Sequence, residues 1–169
     1  MHVLPRRMAA AAAGLTAAAA LAVPMAQQAD AATSIVRLHT QANTDRSLSN
    51  VSGLAFMPFT SSSSDSQRWI KTDKGFGFAE YRNVADQTKC LSRKPLTNGG
   101  SLIGKLVDVR TCDGSTTQQW KLGVSGDLQH RATGLIAQVD LANINQAVRM
   151  GSIPFGQLRP EQKWHVHAA

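Results

Sequence analysis

The chain has 169 residues, of which 43% are hydrophobic and 17% charged, the size of one ordinary domain around a single core. Its 18 basic and 11 acidic side chains give a formal net charge of +7, but the basic residues are scattered. That excludes a nucleic-acid-binding arm and leaves a soluble basic surface. Beyond the first thirty or so residues no run is long and apolar enough to span a bilayer, so no stable membrane insertion is expected.

The chain opens with a short positive stretch, Met1 to Arg7, followed by an alanine-dominated apolar run from Met8 to Val23. Pro24 then breaks any helix, and Ala29-Asp30-Ala31 offers small residues for cleavage. This is the three-part pattern of a secretory signal peptide, residues 1–31, cut after Ala31. The run is too short and too rich in alanine for a membrane anchor. Arg6-Arg7 alone, followed by Met8-Ala9-Ala10, does not support a twin-arginine signal. The expected product is a secreted, extracellular chain of residues 32–169. Taking Arg6, Arg7 and Asp30 off the totals leaves 16 basic and 10 acidic side chains, a net charge near +6.

Short alternating runs follow in order: Ser34–His39, Leu54–Phe59, Phe76–Tyr81 and Leu106–Arg110. Clusters of Asn, Asp, Gly and Ser bound them, the mark of half-buried strands joined by turns. Pro58 suits only an edge or a bulge. Further on, Leu128–Ala132, Leu135–Val139, either Ala147–Met150 or Ile153–Phe155, and Gln162–Val166 read as strands. No helical period is sustained, and only Ala137–Val148 leaves room for one.

The tripeptide Gln-x-Trp occurs three times, at Gln67-Arg68-Trp69, Gln118-Gln119-Trp120 and Gln162-Lys163-Trp164. These contain every tryptophan, at spacings of 51 and 44 residues, which marks three copies of one supersecondary unit, about 34–70, 75–122 and 123–167. Ala42–Ser49 lies over Ala85–Ser92 without a gap, placing Cys90 over Ser47 and Cys112 over Thr60. Leu135 takes the first of these positions in the third copy. The paired change, with an even cysteine count in an exported chain, points to a Cys90–Cys112 disulfide inside the middle unit. A metal site or reactive thiol has no C-x-x-C and no nearby histidine to support it. Each tryptophan is expected in a shared centre, with its glutamine on the same strand face.

With these repeats, their turns and Lys89-Cys90-Leu91 through Gln118-Gln119-Trp120, the chain resembles the ricin B-type lectin domain. The lectin-like subunits of cytolethal distending toxins resemble the same family. The resemblance implies an all-β fold, a β-trefoil of three repeats of about four short strands. It also implies a glutamine that braces the loop of a sugar pocket, here Gln67, Gln118 and Gln162. In ricin-like sites an aspartate follows the Cys-Leu pair, whereas this chain has Ser49, Ser92 and, in the third copy, Ala137. Candidate carbohydrate-binding groups in the middle copy are then Ser92, Asn98, Asp108, Asp113 and Gln118, with Tyr81 the single tyrosine. Asp108, between Val107 and Val109, should face away from the core. The third copy offers Asp140, Asn143 and Asn145. Each of these acids and amides also has an ordinary reading as a solvated residue or a turn former.

No nucleophile elbow, phosphate loop or HExxH motif occurs, so neither catalysis nor a cofactor is expected. His165 and His167 share a strand face, but with no further ligand nearby in sequence no metal site is expected there. The expected activity is carbohydrate binding, with a glycan or glycoprotein as partner. The alternative is a protein–protein contact with a separate toxin or enzyme subunit.

Overall fold

A computed structural model describes residues 32–94, 96, 100–142, 146–153 and 156–169. The leader expected over residues 1–31 lies outside the described residues, as do Asn98, Asn143 and Asn145. Among the described residues there is no α-helix, and no helix long and apolar enough to cross a membrane.

Four strands form each unit. The first holds β1 (Thr33–Thr40), β2 (Ser49–Val51), β3 (Leu54–Phe56) and β4 (Trp69–Asp73). The second holds β5 (Phe78–Asn83), β6 (Lys89–Ser92), β7 (Asp108–Thr111) and β8 (Gln119–Leu122). The third holds β9 (Leu128–His130), β10 (Ile136–Val139), β11 (Val148–Gly151) and β12 (Trp164–Ala168). Ala137–Val148 therefore contributes to two strands, and Pro58 falls after β3 rather than within it.

The outer strands of the units run into one another. β1 pairs with β4 and β12, β4 with β5, β5 with β8, and β8 with β9, all antiparallel. Between the β9 and β12 segments an Asp127–Lys163 bridge and a 2.7 Å bond from the Trp164 amide to the Gly126 carbonyl complete the ring. A ring has no edge for another strand to join. The inner pairs β2–β3, β6–β7 and β10–β11 are hairpins. Bridges Leu54–Asp108, Leu106–Arg149 and Phe56–Ala147 tie the three together. The two residues turning β2 into β3, Ser52 and Gly53, both have positive φ, the conformation a two-residue hairpin requires.

The core lies where ring and hairpins meet, and Trp69, Trp120 and Trp164 fill it, all fully buried. A buried indole N–H without a partner costs about 1–3 kcal/mol. Each is satisfied alike: Trp69 Nε1 donates to the Leu48 carbonyl at 2.9 Å, Trp120 Nε1 to Leu91 at 3.0 Å, and Trp164 Nε1 to Ala137 at 2.9 Å.

That equivalence moves the third-unit alignment by one residue. Ala137 matches Leu48 and Leu91, so Ile136 rather than Leu135 stands over Ser47 and Cys90, and Gln138 rather than Ala137 over Ser49 and Ser92. The pairing agrees, since Ala137 faces Met150 as Leu91 faces Val109. With no cysteine in the third copy, nothing in its sequence pinned the register.

The glutamines do not share a strand with their tryptophans. Each ends a 3₁₀ turn, Asp65–Gln67, Thr116–Gln118 or Pro160–Gln162, and is buried there. The turn, not strand alternation, brings both side chains inward.

Candidate functional site

The 3₁₀ turn aims each glutamine at the loop preceding it. Gln67 Nε2 donates to the Phe59 carbonyl and its Oε1 accepts from the Ser61 amide, both at 2.7 Å. Gln118 does the same to the Thr111 carbonyl and the Asp113 amide, again at 2.7 Å. Gln162 donates to the Ser152 carbonyl and accepts from the Arg159 amide, each at 3.1 Å. One amide thus clips a carbonyl and an amide of the preceding chain, on either side of Thr60 in the first unit and Cys112 in the middle one, using its donor and acceptor together. Gln118 is engaged in this clip and has no free face for a ligand.

The position beside each clip differs between units. In the first, Ser49, Ser66 and Ser64 form a chain of hydroxyls with contacts of 3.0 and 2.8 Å. In the second, Ser92 is fully buried and donates to the Thr117 carbonyl at 3.3 Å. In the third, Gln138 accepts from Gln162 Nε2 at 2.9 Å, and its side chain fills the space a Cβ on Gly151 would need.

Asp108 leaves the apolar core as alternation requires, yet it is buried. Arg110 Nε donates to it at 2.8 Å, and Arg93 Nη1 reaches both of its oxygens at 3.4 Å. Alternation names a face but not what covers it, and here two arginines cover it. Asp113 is exposed, but its carboxylate receives the Ser115 amide at 3.0 Å and lies 3.6 Å from Lys94 Nζ. Those bonds to Ser115, then the Lys94 charge, hold its carboxyl below the usual range. It is a turn former. Tyr81 packs inside the core, where burial pushes its hydroxyl up to about 12. Asp140 pairs with Arg149 Nε at 2.8 Å. Among the described residues, those named from sequence therefore do not converge on one open pocket.

The cysteines form the expected bridge, with an S–S distance of 2.05 Å. The buried Glu80 carboxylate lies beside them, in a group with the ligand types of a metal site. Its oxygens face Arg82 at 3.1 Å and Lys74 at 3.5 Å, and both sulfurs are tied in the bridge, so the group offers no thiolate.

No protein-family model and no curated protein matches the sequence. Solved structures do match the fold. The designed threefold-symmetric protein ThreeFoil superposes with a TM-score of 0.62 at 22% identity, over 78% of this chain and 96% of its own. The fold is a ricin B-like β-trefoil. A non-toxic homologue of type II RIPs from bitter gourd (Momordica charantia), solved with α-methyl-D-galactoside, gives 0.62 at 15% identity. That match covers 79% of this chain but 48% of the bitter gourd chain, about half its length. The Haemophilus ducreyi cytolethal distending toxin gives 0.59 at 14%, over 79% and 83% of the two chains.

Sequence reasoning missed a concave polar site. It is a depression of about 480 Å³ beside the loop clipped by Gln162, lined by Ser125, Asp127, Ile153, Gln157, Leu158 and Lys163 among others. Asp127 follows a tight turn in which the Gly123 amide donates to its carbonyl at 2.8 Å. Its carboxylate lies against Gly123 where any Cβ would collide with it, so glycine at 123 makes the room. Among the described residues no side-chain hydrogen bond or ion pair engages that carboxylate, unlike those of Asp108, Asp113 and Asp140. A sequence signal existed in Gly123-Val124-Ser125-Gly126-Asp127, a turn cluster holding an acid, but the resemblance directs attention to the residue after Cys-Leu instead.

Proposed function

We propose that this chain is a secreted, non-catalytic lectin-like module that binds glycan at the Asp127 depression of the third unit. The observation that carries the reading is an unengaged carboxylate set in a concave wall between amide, ammonium and hydroxyl groups. Sugar hydroxyls bind carboxylates through charge-assisted hydrogen bonds, the stronger kind. Gln157 and Lys163 supply further polar contacts, while Ile153 and Leu158 present apolar surface to the C–H face of a ring. A single shallow site of this kind is weak; a millimolar site corresponds to about 4 kcal/mol. Useful binding then depends on a multivalent target or an attached partner.

The test is a glycan array probed with the full chain and with Asp127→Asn. Binding competed by free sugar, lost in Asp127→Asn and kept in Asp113→Asn, is the expected result. A blank array sinks the lectin reading, and binding indifferent to Asp127→Asn sinks the assigned site.

A second reading is contact with a separate protein subunit. The engagement of Ser92, Asp108 and Gln118 within the fold favours it, because the middle-unit pocket then serves structure rather than a sugar. A blank array together with a stable complex on size-exclusion chromatography with a secreted partner would establish that reading instead.

A further inference from the structure

We propose that His39, His165 and His167 form a surface site for one divalent transition-metal ion of the kind that prefers imidazole nitrogen. The pairing of β1 with β12 sets His39 directly opposite His165 and Arg37 opposite His167. Residues two apart on a strand and residues directly opposite share a face. All three imidazoles therefore stand on one outward surface, while Leu38 on the other side of β1 is fully buried in the core.

The spacing is close to what a metal needs. Two imidazoles bound tetrahedrally at about 2.0–2.1 Å have ring centres about 5 Å apart. The His39 and His167 rings are 5.4 Å apart and steeply inclined, and the His165 and His167 rings are 6.3 Å apart. His165 and His167 are exposed, so their rings are free to rotate toward a shared ion.

His39 is already oriented for the role. Its Nδ1 lies 2.8 Å from the Arg46 carbonyl, which can only accept, so Nδ1 carries the proton and Nε2 the lone pair. A ring N–H donated to a backbone carbonyl is the usual support of a metal-bound histidine. Arg37, opposite His167, and Lys163, two residues before His165, are cations near the rings. The Arg37 guanidinium is turned toward the Ser61 and Ser62 carbonyls, to which Nη2 donates at 3.3 and 3.0 Å.

The ion's chemical class follows from the ligands. Three neutral imidazoles without a carboxylate suit Zn²⁺, Cu²⁺ or Ni²⁺ rather than Ca²⁺ or Mg²⁺, which take oxygen. The remaining positions face solvent and are left for water or a ligand from another molecule.

The experiment titrates the untagged full chain with ZnCl₂ by calorimetry near neutral pH, and with Co²⁺ to read the ligand-field spectrum. One ion per chain is expected, with His39→Gln, His165→Ala and His167→Ala each weakening uptake about 10-fold or more. His2→Ala should leave it unchanged. Tryptophan fluorescence checks that each variant is folded, and the two exposed positions keep the test independent of any folding defect at His39. No uptake, or uptake that survives in the His165→Ala/His167→Ala double variant, overturns the site.

Discussion

The first and middle units solve the same structural problem with different chemistry. Cys90 and Cys112 are joined by a disulfide, and at the matching positions Ser47 Oγ and Thr60 Oγ1 are hydrogen-bonded at 2.7 Å. The bridge spans a separation of 22 residues, the hydroxyl pair only 13. Closing a longer loop costs more chain entropy, so the longer excursion is the one held covalently. In the third unit the matching residues are Ile136 and Ile153, and neither linkage exists. The cross-link is therefore an accessory suited to loop length. The elements present in all three units are the indole bond to a carbonyl and the glutamine clip.

The sharpest way to break this comparison is to remove one of the shared elements. Trp120→Ala should destabilise the fold by about 3–5 kcal/mol, as large-to-small changes in a full core do, despite the intact disulfide beside it. Chemical denaturation measures this; a loss much below that range would mean the covalent link, not the indole, holds the middle unit.

Next comes the exchange of one linkage for the other. Cys90→Ser with Cys112→Thr rebuilds the first unit's pair in the middle one and should cost about 2 kcal/mol, the chain-entropy term lost less the bond regained. A smaller effect follows at the clips. Gln67→Ala frees a buried carbonyl and an amide and should cost about 1–3 kcal/mol. Gln118→Ala should cost less, because the clipped Thr111 adjoins the bridged Cys112, and the two costs should converge once the cysteines are replaced.

The smallest expected effect is on pH dependence. Each tryptophan faces a buried polar residue across the ring: Trp69 faces Asn83, Trp120 faces His130 and Trp164 faces Thr40. Asn83 Nδ2 donates to the Ser66 carbonyl at 2.8 Å, and His130 Nε2 to the matching Thr117 carbonyl at 3.0 Å. Burial first, and the Arg93 charge as well, lower the His130 pKa despite that bond. As pH falls below the unfolded value of about 6.5, the unfolded chain binds a proton that folded His130 refuses. Stability should decline from there until the lower folded pKa is passed. His130→Asn, borrowing the solution used at Asn83, should flatten that limb in melting curves taken across the window. An unchanged slope would assign it to other groups.

Much of this was legible in the chain because three tryptophans carry the repeat and a gapless match carries the first two units. The third-unit register was not, because Ile136 and Ile153 leave no chemical mark where cysteines or paired hydroxyls would. Asp108 shows a second limit. Alternation set its direction, but Arg93 and Arg110 come from a loop and a neighbouring position whose reach is a tertiary matter. His39 shows a third. Its neighbours His165 and His167 lie more than a hundred residues away, brought close only by the pairing of the first strand with the twelfth.

That pairing also decides when the fold can finish. Val36 meets Ala168, and until β12 arrives β1 has β4 on one side and an unpaired edge on the other. The contact that closes the ring is therefore the longest-range contact in the barrel, and contacts of that kind are slow to form. A chain halted before Pro160 would hold two clips, two anchored indoles and an open sheet. Its vulnerability would be self-association through β1, a hazard that ends when the two most distant strands meet.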